Sequence, residues 1–142
     1  MFQLIKDKSI SAVFEIIGYT LLPIISWLVA YKIGYRLSVP GSHSVLVIAL
    51  ILFISPTLEE IIFRGLLQDW LAKVIPNKLL MILILNIAFA ILHYRINTNL
   101  TYLLDVFICG VIFSRVKIRF NNLYYPIGLH IYYNMVFYFA NT

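Results

Sequence analysis

Charge is what this sequence has least of. Eleven Lys and Arg with six Asp and Glu make up 12% of its 142 residues, against about 25% in a soluble domain. Hydrophobic residues fill 62% of the chain, above the roughly 45 to 50% typical of soluble proteins, and the mean hydropathy is +0.92. A chain this poor in charge is excluded from most water-soluble folds. Cysteine is nearly absent too: Cys109 stands alone, so no internal disulfide forms, and within an apolar run a buried, inert thiol is expected. No internal repeat or low-complexity segment is visible. The net charge of +5 in so apolar a chain records membrane topology rather than affinity for nucleic acid, and no nucleic-acid partner is expected.

What the chain does have is long apolar runs. A hydrocarbon core of about 30 Å takes roughly 20 helical residues to cross, and about five such lengths fit. The runs are 10–33, interrupted by Glu15 and Pro23; 44–71, after the turn-forming Val39, Pro40, Gly41 and Ser42; 79–93, after Pro76 and Asn77; 100–114; and 123–139. The first has a basic leader, Lys6 and Lys8, but is long and lacks a small-x-small cleavage site, so it reads as an anchor helix. The expected fold class is therefore all-α, a polytopic transmembrane helical bundle of about five spans. It forms one membrane-embedded domain over 1–142, with an anchor helix and loop in 1–43.

Five spans place Lys6, Lys8, Lys73, Lys78, Arg115, Lys117 and Arg119 on one side and Lys32, Arg36 and Arg95 on the other. That bias predicts a cytoplasmic amino terminus. Arg115, Lys117 and Arg119 read as an anchor after span four, near anionic lipid. Tyr124, Tyr125, Tyr132, Tyr133 and Tyr138, with Trp27 and Trp70, read as interface anchors and lipid-facing packing. Gly110 permits close helix approach, without a GxxxG partner.

Ionisable groups inside a bilayer are costly, face the protein interior and tend to mark function. Here they are Glu59, Glu60 and Arg64 in span two, His93 in span three, Asp105 in span four, and His130 with Asn134 in span five. Residues four apart share a helix face, so Glu60 can pair with Arg64 in the favourable acid-first order. Glu59 points about 100° away, without a local cation. One carboxylate is then structural and its neighbour is free for chemistry. His130 and Asn134 are also four apart and project into one space. At 1.5 Å per residue from the presumed cytoplasmic ends, Glu59 lies roughly 18 Å deep, His93 roughly 21 Å, and His130 and Asn134 roughly 10 and 16 Å. One layer near mid-membrane accommodates all four. Asp105 falls level with His93, where it either orients that ring or makes a simple interhelical contact.

Glu59, Glu60 and Arg64 match an EExxxR signature, Phe89 and His93 match FxxxH, and His130 with Asn134 matches HxxxN. In this order on successive apolar helices, over a core of about 56–139, they resemble the CPBP (Abi) family. That family includes the type II CAAX prenyl endopeptidases and bacteriocin self-immunity proteins. The resemblance implies an intramembrane endopeptidase of the glutamate type acting near a membrane anchor, in a prokaryotic inner membrane. Its substrate would be a membrane-anchored protein or peptide.

Carried across, Glu59 would be the base that activates water, His93 would hold and polarise it, and His130 and Asn134 would stabilise the oxyanion. Glu60 and Arg64 would organise the site. No cofactor is expected: Glu59, His93 and His130 would be the ligands if zinc were used, but the HExxH unit, with its paired helical ligands and base, is absent. With 142 residues the chain is smaller than many relatives, nearer in scale to members that trim sorting anchors or act in peptide maturation and self-protection. A noncatalytic binding or self-immunity protein with the same fold is the alternative. A proton-coupled carrier is disfavoured, because five spans without a repeat leave little room for alternating access.

Overall fold

The computed structural model of the protein describes residues 2–32, 45–94, 96 and 99–141, with side chains from Ser11 onward except at 27, 29–31, 140 and 141. The expected turn at Val39, Pro40, Gly41 and Ser42 and the cations Arg36 and Arg95 lie outside the described residues, as do the side chains of Lys6, Lys8 and Trp27. Among the described residues every regular element is helical, in keeping with the all-α expectation. The helices are α1 (Phe2–Lys32), α2 (Val45–Val74), α3 (Lys78–His93), α4 (Leu100–Phe120) and α5 (Tyr124–Asn141). The chain divides into two compact units, one of Met1–Pro40 with Val136–Thr142 and one of Gly41–Met135. In the first, α1 contains Pro23, and Thr20 Oγ1 donates to the Ile17 carbonyl at 2.9 Å.

The second unit holds every residue singled out above for chemistry. Its helices begin and end where local chemistry dictates. Ile75, which precedes Pro76, is extended, because the proline ring disfavours helical geometry one residue earlier. Asn77 then caps α3, its side chain accepting from Leu80 N–H at 3.1 Å, and Asn99 caps α4 by accepting from Thr101 N–H at 2.8 Å. α4 runs past the expected end at Ser114 as far as Phe120 and stops at Asn121, which adopts the left-handed conformation at φ 48°. Arg115, Lys117 and Arg119 therefore sit on the last turns of a helix, not in a loop, where cations complement the carbonyl end of the helix. Lys117 Nζ lies 3.5 Å from Asp69 of α2.

α2 positions the site, and Pro56 in its interior sets its shape. A proline ring clashes with the carbonyl four residues back and brings no N–H of its own. The helix widens just before it: Leu50–Ile54 is π-helical, and Ser55 N–H donates to the Leu50 carbonyl five residues back. A second π-helical stretch, Ile61–Leu67, ends with Gln68 N–H donating to the Phe63 carbonyl. In a regular α-helix residues four apart drift by about 40°. The wider turn reduces that drift and keeps Glu60, Arg64 and Gln68 in one inward stripe.

That stripe is fully buried, while Leu58, Ile61, Ile62, Leu66 and Trp70 on the same helix are exposed. Polar inside and apolar outside inverts the pattern of a soluble protein and suits a lipid surround. Over its 30 residues α2 is, among the described helices, the one long and apolar enough to cross a membrane by itself; shorter apolar helical stretches are Ser11–Ser26 and Lys78–His93. The apolar core of the unit gathers Phe63, Leu85 and Phe89, with Leu71 and Val106 against it. Tyr133, expected at a lipid interface, is instead a core residue, 2% exposed and edge-to-face with Phe113.

Candidate active site

Glu59 and Glu60 leave α2 on different sides and meet different surroundings. Glu60 is completely buried. Its Oε1 lies 3.2 Å from Arg64 Nη1, as the spacing predicts, and also accepts from His130 Nδ1 at 2.8 Å. A carboxylate only accepts, so this contact puts a proton on Nδ1 and turns Nε2 of His130 the other way. Glu60 thus orients the histidine as well as balancing the arginine. The imidazole is sandwiched further: Phe113 stacks on it at 4.7 Å with 26° between planes, and Phe89 stands edge-on at 6.3 Å.

Glu59 is the more open acid, with its side chain 27% exposed. Ser55, one turn earlier, donates from Oγ to Glu59 Oε1 at 2.6 Å. The other oxygen, Oε2, is buried without a hydrogen-bond partner. It lies 3.7 Å from His93 Nε2 and 3.9 Å from His130 Nε2. His93 presents Nε2 because its Nδ1 donates to the Phe89 carbonyl at 2.9 Å. That carbonyl, four residues back on the same helix, orients the ring. Phe89 also packs against the His93 ring at 4.6 Å, which accounts for both residues of the FxxxH pair. Glu59, His93 and His130, from three helices, therefore converge on one point.

Asn134 sits one turn after His130 on α5, and its Nδ2 donates to the Ile51 carbonyl of α2 at 3.2 Å. One of its two amide protons is engaged there and the other is left for a further acceptor.

Several residues that complete the site were not singled out in the sequence. Asn86, fully buried in α3, accepts from Arg64 Nη2 at 3.0 Å. Its own amide donates to the Ile82 carbonyl at 2.8 Å and to Ser114 Oγ at 3.0 Å. Arg64 Nη2 also donates to the Gly110 carbonyl at 3.0 Å, and Gln68 Nε2 donates to the Ser114 carbonyl at 3.2 Å. Three rings surround the guanidinium, with its carbon 4.6 Å from the Phe89 centroid, 5.5 Å from Phe113 and 5.8 Å from Phe63; such faces attract a cation. Gly110 has to be glycine here, since a Cβ would run into Asn86 Oδ1. The signal for Asn86 was present as the one polar side chain between Lys78 and His93 in α3.

A tetrahedral zinc site with bonds of about 2.0 to 2.1 Å places neighbouring ligand atoms about 3.3 Å apart. The separations of 3.7 and 3.9 Å around Glu59 Oε2 are wider than that. Among the described residues no group of three or more His, Cys, Asp and Glu is arranged to hold a metal ion.

Compared with known protein families, residues 41–136 match the model described as type II CAAX prenyl endopeptidase Rce1-like. The match coincides closely with the unit Gly41–Met135 and contains all three motifs. No curated protein and no solved structure gives a match.

Proposed function

The chain belongs to the Rce1-like family of type II CAAX prenyl endopeptidases, and from that premise we propose that it is an intramembrane endopeptidase of the glutamate type. The family is membrane-integral, and membership supports protease activity on a membrane-associated protein. The proposal adds the mechanism, the arrangement of α1 to α5 as a five-span bundle with a cytoplasmic amino terminus in a prokaryotic inner membrane, and cleavage near the substrate's membrane anchor.

The observation that carries the mechanism is Glu59 Oε2, buried without a hydrogen-bond partner and facing Nε2 of both His93 and His130 at 3.7 and 3.9 Å. Contacts of that length are spanned by one shared water. Glu59 takes a proton from this water while His93 fixes the oxygen, and the resulting hydroxide attacks the scissile carbonyl carbon. Charge develops on the carbonyl oxygen, where preorganised donors act most strongly. The free amide proton of Asn134 is one donor. His130, whose Nδ1 is held by Glu60, offers the other from Nε2 when that nitrogen carries a proton. Glu59 then returns its proton to the leaving amine as the C–N bond breaks, so the group is both base and acid.

The test compares the wild type with Glu59→Gln in the host membrane. Proteomics should show a membrane protein whose processed form disappears and whose precursor accumulates, while the variant stays folded and inserted. Processing that continues in the variant removes Glu59 as the base. If no membrane protein is found processed in either strain and a phenotype such as peptide resistance survives in the variant, the fold is a binding or self-immunity module. Stoichiometric zinc in the purified protein overturns the metal-free step.

A further inference from the structure

We propose that Pro56 is a positioning residue: by withholding an N–H it leaves the Ile51 carbonyl to Asn134, and so sets the direction of that amide. The inference rests on the glutamate-protease reading for its catalytic consequence, though not for the hydrogen-bond geometry.

Each helical carbonyl normally receives an N–H from four residues later, or from five later in a π turn. For Ile51 the first donor is Ser55, but Ser55 N–H goes to the Leu50 carbonyl. The second donor is residue 56, a proline, which has none. The Ile51 carbonyl is therefore orphaned twice over within α2. An unpaired backbone carbonyl away from water is costly, above all in hydrocarbon. Asn134 Nδ2, at 3.2 Å, supplies the bond from α5. A carbonyl only accepts, so this contact also fixes which end of the amide faces α2. With Nδ2 anchored, its second proton takes a fixed direction one turn from His130, on the face the two residues share. The proline thus does two things with one missing proton. It opens the π stretch that precedes Glu59, and it ties the helix of the base to the helix of the oxyanion donors.

Replacing Pro56 by alanine returns an N–H to position 56. In an α register Ser55 then serves Ile51, and in a π register the restored N–H does. Either way the carbonyl gains a donor within α2, and Asn134 then has to compete for or share its anchor, without any side chain of the site being touched.

The first measurement is a thermal-unfolding cycle on the purified full chain with Pro56→Ala, Asn134→Leu and the double variant. Asn134→Leu should lower Tm by about 3 to 8 °C in the wild-type background, since it leaves the Ile51 carbonyl, on an exposed face of α2, without a donor where the surround is hydrocarbon. It should cost less than half of that in the Pro56→Ala background, while Pro56→Ala alone keeps or raises Tm. An equal loss in both backgrounds overturns the inference.

The second measurement is turnover in proteoliposomes of an internally quenched, farnesylated peptide ending in a CAAX box. Pro56→Ala should lower kcat about tenfold, with KM within twofold, because a misaligned oxyanion donor acts on the transition state alone. An unchanged kcat overturns the positioning role. Glu59→Gln, run alongside, keeps the two proposals apart: turnover by that variant sinks the glutamate mechanism and leaves the unfolding cycle standing.

Discussion

On the Glu60 side of α2, Glu60, Arg64, Gln68, Asn86 and Ser114 are each at most 2% exposed, and hydrogen bonds and an ion pair link them across three helices. On the Glu59 side the carboxylate is 27% exposed and receives one hydrogen bond, from Ser55. The two acids are adjacent in sequence, so composition and depth do not separate them. The turn of about 100° between neighbouring helical residues does. A sealed network in low dielectric has every reason to stay as it is, because each lost partner leaves a costly orphan. Glu60 Oε2 and Gln68 Oε1 are buried without a hydrogen-bond partner as well, so what distinguishes Glu59 is its open face and the two imidazole nitrogens opposite its Oε2. One turn of helix therefore divides holding from reacting.

The strongest way to break this comparison is to open the sealed side. Arg64→Ala removes the cation that Glu60 faces at 3.2 Å and leaves a fully buried carboxylate with His130 as its remaining hydrogen-bond partner. Breaking a buried pair by deleting one partner costs about 3 to 5 kcal/mol, and three phenylalanine rings lose the group they surround. Purified in detergent, the variant should unfold at far lower temperature or fail to accumulate, with activity lost as a consequence. If it keeps the wild-type Tm, the network is not what holds the unit together, and both sides of α2 are equally dispensable to the fold.

A milder disturbance of the same side comes from Gly110→Ala. The added methyl meets Asn86 Oδ1, pushing it off Arg64 without removing any polar group. Overpacking of this kind costs about 1 to 3 kcal/mol, read as a lowered Tm with a folded product. Turnover should fall less steeply than for Glu59→Gln, since the strain reaches His130 indirectly, through Arg64 and Glu60 and through Phe113 on the same helix. A Tm equal to that of the wild type means α4 moves aside freely, and the sealed side is softer than its burial indicates.

How much of this was legible in sequence follows the same division. Spacing within one helix was readable: Glu60 with Arg64, Glu59 turned away from both, and His130 with Asn134 on one face. Depth arithmetic, with an allowance of several residues at the helix ends, let Glu59, His93 and His130 share one layer. Contacts that depend on the rotation of one helix against another were not readable, because periodicity says which residues share a face but not which face meets which. Asn86 and Ser114 belong to that class, as does Tyr133, whose ring and hydroxyl suit an interface and yet lie in the core. Depth set Asp105 level with His93 but said nothing of the Phe89 carbonyl on the same helix, which receives the His93 Nδ1 proton at 2.9 Å. The end of α4 was missed for another reason. Arg115, Lys117 and Arg119 mark the edge of an apolar run, but the helix continues through charge until Asn121 turns it.

The smallest effect expected lies on the open side, and it sharpens the comparison best. Ser55 donates to Glu59 Oε1 at 2.6 Å from one turn earlier on α2, across a face partly open to solvent. Removing the hydroxyl with Ser55→Ala takes away a hydrogen bond to a charged group, a class of bond that contributes about 1.5 to 3 kcal/mol when buried. Exposure of Glu59 reduces that figure, because water replaces the lost donor. Tm should therefore stay within about 2 °C of the wild type. The serine holds one carboxylate oxygen so that the other faces the two histidines; without it the carboxylate rotates, and kcat should fall about three- to tenfold at unchanged KM. A loss as deep as that of Glu59→Gln would mean that the base depends on Ser55 as strictly as Glu60 depends on Arg64, erasing the contrast between the two sides. No loss at all would place the orientation of Glu59 in the packing of α2 itself, through the π-helical stretches on either side of it.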